Sequence, residues 1–507
     1  MKRIIAILLL CLFLTGCGME ESPYVPTGDG LSDETNPTVA TTPVEKRELK
    51  LAYDPAAGFH PYNCTNPTNR ILFSLVYQGL FSVDAQYQVQ NVLCKDYEIS
   101  ADMRTWTFYL EKAAFSDGQY LTAEDVMESL RAARESGYFS GRFTHIKTID
   151  AVAADAVRIT VDTPCENLPI LLDIPIIKKT ELKAETPLGT GPYMFTENAG
   201  QKLLRRQVAW WCSGRLETSD QEIELIAGSS PSEIRDLFEF SQLGLVLTDA
   251  GSDSYVDFRG DYELWESENG QFLYIGINEK SKVFADEAIR IHLTHAIDRD
   301  LLTTELFRDF AHAATLPASP LSPYYNTVLA SRYGYAPERF ASAVANSEIE
   351  DKTVVFLVNK DDSRRTRTAR VIKKWLEEGG LTVTLSELPG AEFRKALEKG
   401  DFDLYLGQTK LSPNMDLTEF FREDGSLSYG GMDDVAAYAM SLEALANSDN
   451  YQSLHELVMD NGYLCPILFR SYAVYATRGL VTDLQPARDN IFYYRLDKSM
   501  EEALLKD

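Results

Sequence analysis

The sequence predicts an α/β protein built from more than one lobe, and three observations carry that prediction. Between Lys352 and Gly407 the chain reads "TVVFLVN", "SRRTRTARVIKKWLEEGG", "LTVTLSEL", "AEFRKALEKGD" and "FDLYLG". This is a β-α-β-α-β order, which lays strands side by side in a parallel sheet under covering helices. Earlier, "RTWTFYLEKAAF" alternates with Trp106, Phe108 and Leu110 on one face, and "DAVRITVDT" alternates in the same way. Finally, 507 residues exceed what one core organises, since domains run to ~50–250 residues, so two or three lobes are expected.

Taken in order, the chain opens with Lys2 and Arg3, an apolar run from Ile4 to Leu14, and then Thr15-Gly16-Cys17. That run is shorter than the ~20 residues of a membrane-spanning helix and suits a secretory signal. Leu14-Thr15-Gly16-Cys17 resembles a bacterial lipobox, so residues 1–16 are expected to be a signal peptide and Cys17 the lipidated residue. Acyl chains hold a protein at a membrane face without spanning it. Residues 17–46 are rich in Pro, Thr, Gly and acidic residues and read as a flexible tether. "ELKLAY" is then a first strand stopped by Asp54-Pro55. "LTAEDVMESLRAARES" is a helix with Thr122 as N-cap and Asp125 three residues on, close to a capping box. Cys64, Cys94, Cys165, Cys212 and Cys465 form no C-x-x-C pair, and the sequence assigns them no disulfide. No internal repeat appears.

Composition narrows the function. The chain is 45% hydrophobic and 25% charged, as in ordinary globular proteins. With 76 Asp and Glu against 49 Lys and Arg, the formal charge is -27, which argues against nucleic acid and anionic lipid as partners. The sequence holds no phosphate loop, nucleophile elbow or H-E-x-x-H zinc motif. No catalytic residue, metal site or cofactor is assigned, and an enzyme is not expected. His292 and His295 lie three apart on a predicted helix, where structural or surface roles outweigh a metal site. The pair Trp210-Trp211 either lines a pocket or packs in a core.

One stretch points toward a ligand. "FDLYLG" turns abruptly polar at Gly407, Gln408, Thr409 and Lys410, at the carboxyl end of a strand, where open α/β sheets place ligands. Gly407 has no side chain to keep another backbone away. A solvated loop is the alternative reading of the same residues.

Several segments together resemble the bacterial extracellular solute-binding proteins of family 5, the oligopeptide-, dipeptide- and nickel-binding lipoproteins of peptide-type ABC importers. "AFSDGQYLTAEDVMESL" matches the family signature at Phe115, Asp117, Gly118, Thr122, Ala123, Asp125, Val126 and Ser129. "LVYQGLF", "DYEISADMRTWTFYL", "GTGPYMF" and "HAIDRDLL" resemble further family segments in the family's order. The resemblance runs from about Glu48 to the C-terminus.

It implies a three-lobed periplasmic-binding-protein-like fold (type II, cluster C) with a hinge and an interlobe ligand cleft. Residues 47–90, 185–263 and 470–507 would form a composite first lobe, 91–184 a second and 264–469 a third. The implied function is capture of a peptide or small polar solute for an ABC permease and its ATPase subunits. The protein would be a monomer on the extracytoplasmic face of the membrane, with a Gram-positive surface favoured over a periplasm by the tether. A surface sensor or adhesin using the same fold without transport is the alternative. In peptide-binding relatives the segment matching "LYLGQTKLSPNMD" carries a Trp and an Asp that pairs with the peptide's amino group. Gln408 and Leu411 stand at those places here. Since Leu411 cannot neutralise an enclosed ammonium, either Asp416 or Glu419 substitutes, or the ligand is bound differently. Gln408, Thr409 and Lys410 are expected to face it, with Tyr53 and Tyr274 as further pocket residues, for both of which packing is the alternative.

Overall fold

The parallel unit read from residues 352–407 is one end of a much larger sheet. The computed structural model describes residues 48–212, 221–481, 484–488 and 490–492. The first strands in chain order are β1 (Lys50–Tyr53), β2 (Phe81–Val83), β3 (Val89–Asn91), β4 (Cys94–Ile99), β5 (Thr105–Leu110), β6 (Ile146–Ala153) and β7 (Ala156–Val161). They are followed by β8 (Tyr193–Asn198), β9 (Gln201–Arg206), β10 (Glu222–Ala227), β11 (Leu245–Thr248) and the long β12 (Tyr262–Ile277). β13 (Ala311–Ala313), β14 (Thr353–Asn359), β15 (Thr382–Leu388), β16 (Leu404–Lys410) and β17 (Leu464–Thr477) complete the series.

The large sheet runs β15-β14-β16-β12-β17-β11-β1-β10-β9-β8, with β13 also on β17. β14 lies parallel to both β15 and β16. The helices Ser363–Glu378 and Gly390–Lys399 make the two crossovers, as the pattern requires. β12 and β17 are antiparallel and join this end, the β14 half, to the β1 half. Their register shifts between Glu268 and Phe272, so the pairing is interrupted where the halves meet. β4, β5, β7 and β6 form a separate four-stranded antiparallel sheet. On β5, Trp106, Phe108 and Leu110 are buried and the residues between them are half-buried, the expected alternation.

The signature segments explain themselves locally. Thr122 and Asp125 form a full capping box on the helix Ala123–Arg134. Asp125 also accepts a hydrogen bond from the Lys179 backbone at 2.9 Å. One turn on, Ser129 Oγ donates to the Ile177 carbonyl at 2.9 Å and accepts from the Ile177 N–H at 3.0 Å. Lys178 pairs with Asp117. The signature thus clamps residues 177–179. Gly189 of "GTGPY" sits so close to the helix Pro67–Val76 that an added Cβ would lie 2.1 Å from the Val76 carbonyl oxygen. In "HAIDR", Arg299 is buried and donates to the carbonyls of Ala314, Pro466 and Thr294.

Replacing Asp125 with Ala leaves the Thr122 and Lys179 N–H groups without their acceptor. It should cost about 2 kcal/mol or more, against about 1 kcal/mol for Thr122→Ala, while Thr122→Ser stays close to the parent. Urea unfolding followed by tryptophan fluorescence measures the difference.

Candidate functional site

The polar step at Gly407 does not end the strand. β16 continues to Lys410 because β12 supplies partners that far, with Tyr274 opposite Gly407, Leu273 opposite Gln408, Phe272 opposite Thr409 and Gln271 opposite Lys410. The space over Gly407 is taken by the Tyr274 ring, since a Cβ there would lie 2.4 Å from Tyr274 Cζ. Gly407 therefore admits a side chain of the same sheet, where the sequence suggested a foreign backbone.

Tyr274 is buried, with Phe272 and Phe420 each 5.2 Å from its ring centre and Tyr405 at 5.8 Å. Its hydroxyl accepts a 3.4 Å hydrogen bond from Tyr405, and burial raises its pKa well above the phenol value. Tyr53 is half-buried at the end of β1, 5.6 Å from Phe59. Thr409 is half-buried. Cys17 lies outside the described residues.

Gln408 and Lys410 lead to groups the sequence reading missed. Gln408 Nε2 donates to Gln271 at 3.2 Å, and its Oε1 accepts from Arg470 Nη1 at 3.2 Å. Arg470 in turn donates to Asp249 Oδ2 at 2.5 Å. Arg364, in the first turn of the helix Ser363–Glu378, grips both oxygens of the same carboxylate at 2.8 and 2.6 Å. Burial nevertheless raises the Asp249 pKa above its ordinary value, a penalty that the Arg364 charge and hydrogen bonds reduce without cancelling. Lys410 Nζ donates to the Tyr138 hydroxyl at 2.6 Å and lies 3.9 Å from that ring's centre. The Arg70 guanidinium lies 3.4 Å from the same ring.

Gln408, Asp249, Arg364 and Arg470 come from four separated stretches, which meet where β12 and β17 join the two halves. A readable trace existed in the charges. "TDAGSDSYVDF" is acidic and "SRRTRTAR" basic, and the structure pairs Asp249 with Arg364 and Asp253 with Arg367.

The two acids considered as substitutes at Leu411 are already engaged. Asp416 Oδ2 lies 3.3 Å from His145 Nε2 and its Oδ1 accepts from Thr418, while His145 Nδ1 is 3.1 Å from Asp162. Glu419 pairs with Arg422 and accepts from the Ser426 N–H. Leu411 is buried, and its carbonyl accepts from Arg488 at 2.7 Å.

The indoles of Trp210 and Trp211 both donate to the Thr190 carbonyl, and Trp210 also lines a cavity with Arg70, Tyr77 and Phe139. His292 and His295 have ring centres 5.6 Å apart, and His295 Nδ1 meets the Gly334 carbonyl at 2.6 Å. Among the described residues no group of three or more His, Cys, Asp or Glu could hold a metal, and no helix is long and apolar enough to cross a membrane. Cys64, Cys94, Cys165, Cys212 and Cys465 are buried free thiols.

Residues 88–425 match the family model of bacterial extracellular solute-binding proteins, family 5, middle region. The chain belongs to this family. The glutathione-binding protein GsiB of Escherichia coli (strain K12) is 25% identical over 279 residues, 52% of this chain and 54% of that protein. The chain thus aligns with about half the length of the curated relatives it matches. Among solved structures, the ABC transporter substrate-binding protein CtaP of Listeria monocytogenes superposes with a TM-score of 0.71 at 15% identity, covering 89% of this chain and 98% of that one. The oligopeptide-binding protein AppA of Bacillus subtilis, solved with a nonapeptide, gives a TM-score of 0.61 at 17% identity, covering 87% and 97%. The fold is the mixed α/β fold of these solved binding proteins, and the family is one of bacterial extracellular solute-binding proteins.

The His145–Asp416 pair makes stability depend on pH. Burial pulls the His145 pKa down, but the hydrogen bond and charge of Asp416, with Asp162, carry it above 6.5. For Asp416, burial pushes up and is outweighed by His145 and Thr418, leaving the carboxyl below 3.8. The histidine's contribution is fully present below its unfolded pKa and is lost as pH rises through its raised folded value. The aspartate's is present above its unfolded pKa and is lost as pH falls through its depressed one. The part of the melting temperature that His145 supplies should therefore shrink from pH 6 toward pH 9, read in scanning calorimetry as a difference between the parent and His145→Gln that narrows over that range.

Proposed function

We propose that this protein is the substrate-binding lipoprotein of an ABC importer, capturing peptides or peptide-sized polar solutes and handing them to a membrane permease and its ATPase subunits. The match to the solute-binding family across residues 88–425 carries the reading. The relatives' names support a peptide-sized solute, since GsiB is a glutathione-binding protein and AppA was solved with a nonapeptide.

In this reading residues 47–90, 185–263 and 470–507 form one composite lobe, 91–184 a second and 264–469 a third. β12 and β17 act as the hinge, and ligand binding closes the lobes across it. Gly407, Gln408, Thr409 and Lys410 border the cleft with Tyr53 and Tyr274, Gln408 by orienting Arg470, Lys410 by its own charge and the aromatic ones by packing. A lipid on Cys17 holds the protein at the extracytoplasmic face, on a Gram-positive surface.

The test begins with native mass spectrometry of the full chain in detergent, followed by denaturing release of whatever co-purifies. Peptides or small polar solutes are expected, and adding the loaded protein to its permease in proteoliposomes should raise ATP hydrolysis. A reproducibly empty protein that leaves hydrolysis unchanged would sink this reading in favour of a surface sensor or adhesin.

A further inference from the structure

The small sheet β4-β5-β7-β6 is tied by its backbone to one half of the large sheet and meets the other half only at a seam. The chain enters it after β3 and leaves it toward β8. The Phe81 N–H donates to the Leu172 carbonyl at 3.3 Å, the Ile176 N–H to Gln78 at 2.8 Å and the Lys178 N–H to Leu188 at 3.2 Å. These bonds hold it against the end of the helix Pro67–Val76 and the approach to β8, in the β1 half. With the β14 half it shares no strand among the described residues. The two meet through isolated contacts. Ser412 Oγ donates to the Gly141 carbonyl at 3.0 Å, the Glu166 N–H to Leu445 at 2.9 Å and the Ser448 N–H to the Glu166 carboxylate at 2.6 Å. A rotation of the halves about β12 and β17 has to open this seam.

His145 stands at its centre. Its backbone carbonyl accepts from the Asp162 N–H at 3.0 Å, which sets the two side chains together at one end of the small sheet, before β6 and after β7. Across the seam, Nε2 lies 3.0 Å from Thr418 Oγ1 and 3.3 Å from Asp416 Oδ2. The Thr418 hydroxyl spends its proton on Asp416 Oδ1, at 2.7 Å, so Nε2 faces two acceptors. Nδ1 faces a third, Asp162 Oδ1, at 3.1 Å. A neutral imidazole has one N–H and cannot satisfy both sides; the doubly protonated ring can. The geometry itself therefore asks for the imidazolium, and the ring is only 15% exposed.

The other ionisable groups packed around this point do not replace it. Arg142 is paired with Asp173, and Glu166 holds the Ser448 N–H. Burial pushes the Cys165 thiol up to about 12 and raises the Tyr324 and Tyr451 phenols, the latter donating to the Asn414 carbonyl.

We infer that His145 is a proton-operated latch between the small sheet and the β14 half, closed by the imidazolium between Asp162 and Asp416 and loosened when the ring loses its proton. The latch is complete below the pKa of the ring in an open seam and is lost as pH rises through the higher value of the closed one. For the solute-binding reading above, on which only this consequence rests, acid holds the lobes shut and alkali favours release.

Hydrogen exchange read by mass spectrometry, on the full chain in detergent and without added solute, tests the latch through the amides of Glu166 and Ser448, which bond across the seam. Corrected for intrinsic base catalysis, their protection should fall at least about tenfold from pH 6 to pH 9, the size of one charge-assisted hydrogen bond. The β5–β7 and β14–β15 ladders, each inside one body, should change far less. His145→Gln and Asp416→Asn should each lower seam protection at pH 6 and remove most of its pH dependence. Thermal melting confirms folding, so a defect in one variant leaves the other as the test. Seam protection that does not vary with pH in the parent, or varies as much in His145→Gln, overturns the latch. An equal fall in the two ladders overturns it too, because His145 then acts on global stability alone. With no solute present, none of these outcomes decides solute capture, and an empty protein leaves the measurement unaffected.

Discussion

The long antiparallel pairing of β12 with β17 is the constraint on which the rest of the structure depends. It runs from Tyr262 opposite Thr477 to Gly276 opposite Leu464, and each half of the large sheet is built outward from one side of it. Backbone groups in such a pair must remain hydrogen-bonded or be solvated. The interruption between Glu268 and Phe272 is therefore where the two halves have the least shared ladder. Buried Glu268 lies at that interruption and accepts from the hydroxyls of Tyr87 and Ser319. The arginine cluster at Asp249 is anchored beside it through Arg470 on β17.

The motifs that reveal the family and the residues proposed to border the cleft are different sets, for a physical reason. Thr122, Asp125, Ser129, Gly189 and Arg299 satisfy buried backbone groups or permit close approach between segments far apart in sequence. Those demands are the same whatever solute is bound. The residues proposed to meet the solute would answer to ligand chemistry instead, and it is in this segment that the chain departs from the peptide-binding pattern it resembles, with Gln408 and Leu411 at the places of a Trp and an Asp. Gln408 directs a guanidinium, and Leu411 is buried against other apolar groups.

Much of the fold was legible in the residues. The β-α-β-α-β order of residues 353–410, the alternation on β5 and the capping box at Thr122 all depend on near neighbours in sequence, and the structure has all three. Less could be read at the site. "GQTK" is the carboxyl end of its strand, as read, but β12 pairs with it as far as Lys410 and Tyr274 fills the space over Gly407. Tyr274 looked like a pocket residue from its strand, yet Phe272, Phe420 and Tyr405 enclose its ring. Asp249 and Arg470, 221 positions apart, gave no local signal of meeting.

The sequence by itself determined the family, the α/β class, the local elements and the acidic balance of the chain, because each follows from short-range patterns or from composition. Only the tertiary structure decided that one end of a mixed sheet is the parallel unit, that Asp416 is committed to His145, and that two arginines share Asp249. Those outcomes depend on which distant strands become neighbours, and charges hundreds of residues apart interact strongly only once folding brings them within a few ångströms and excludes the water between them.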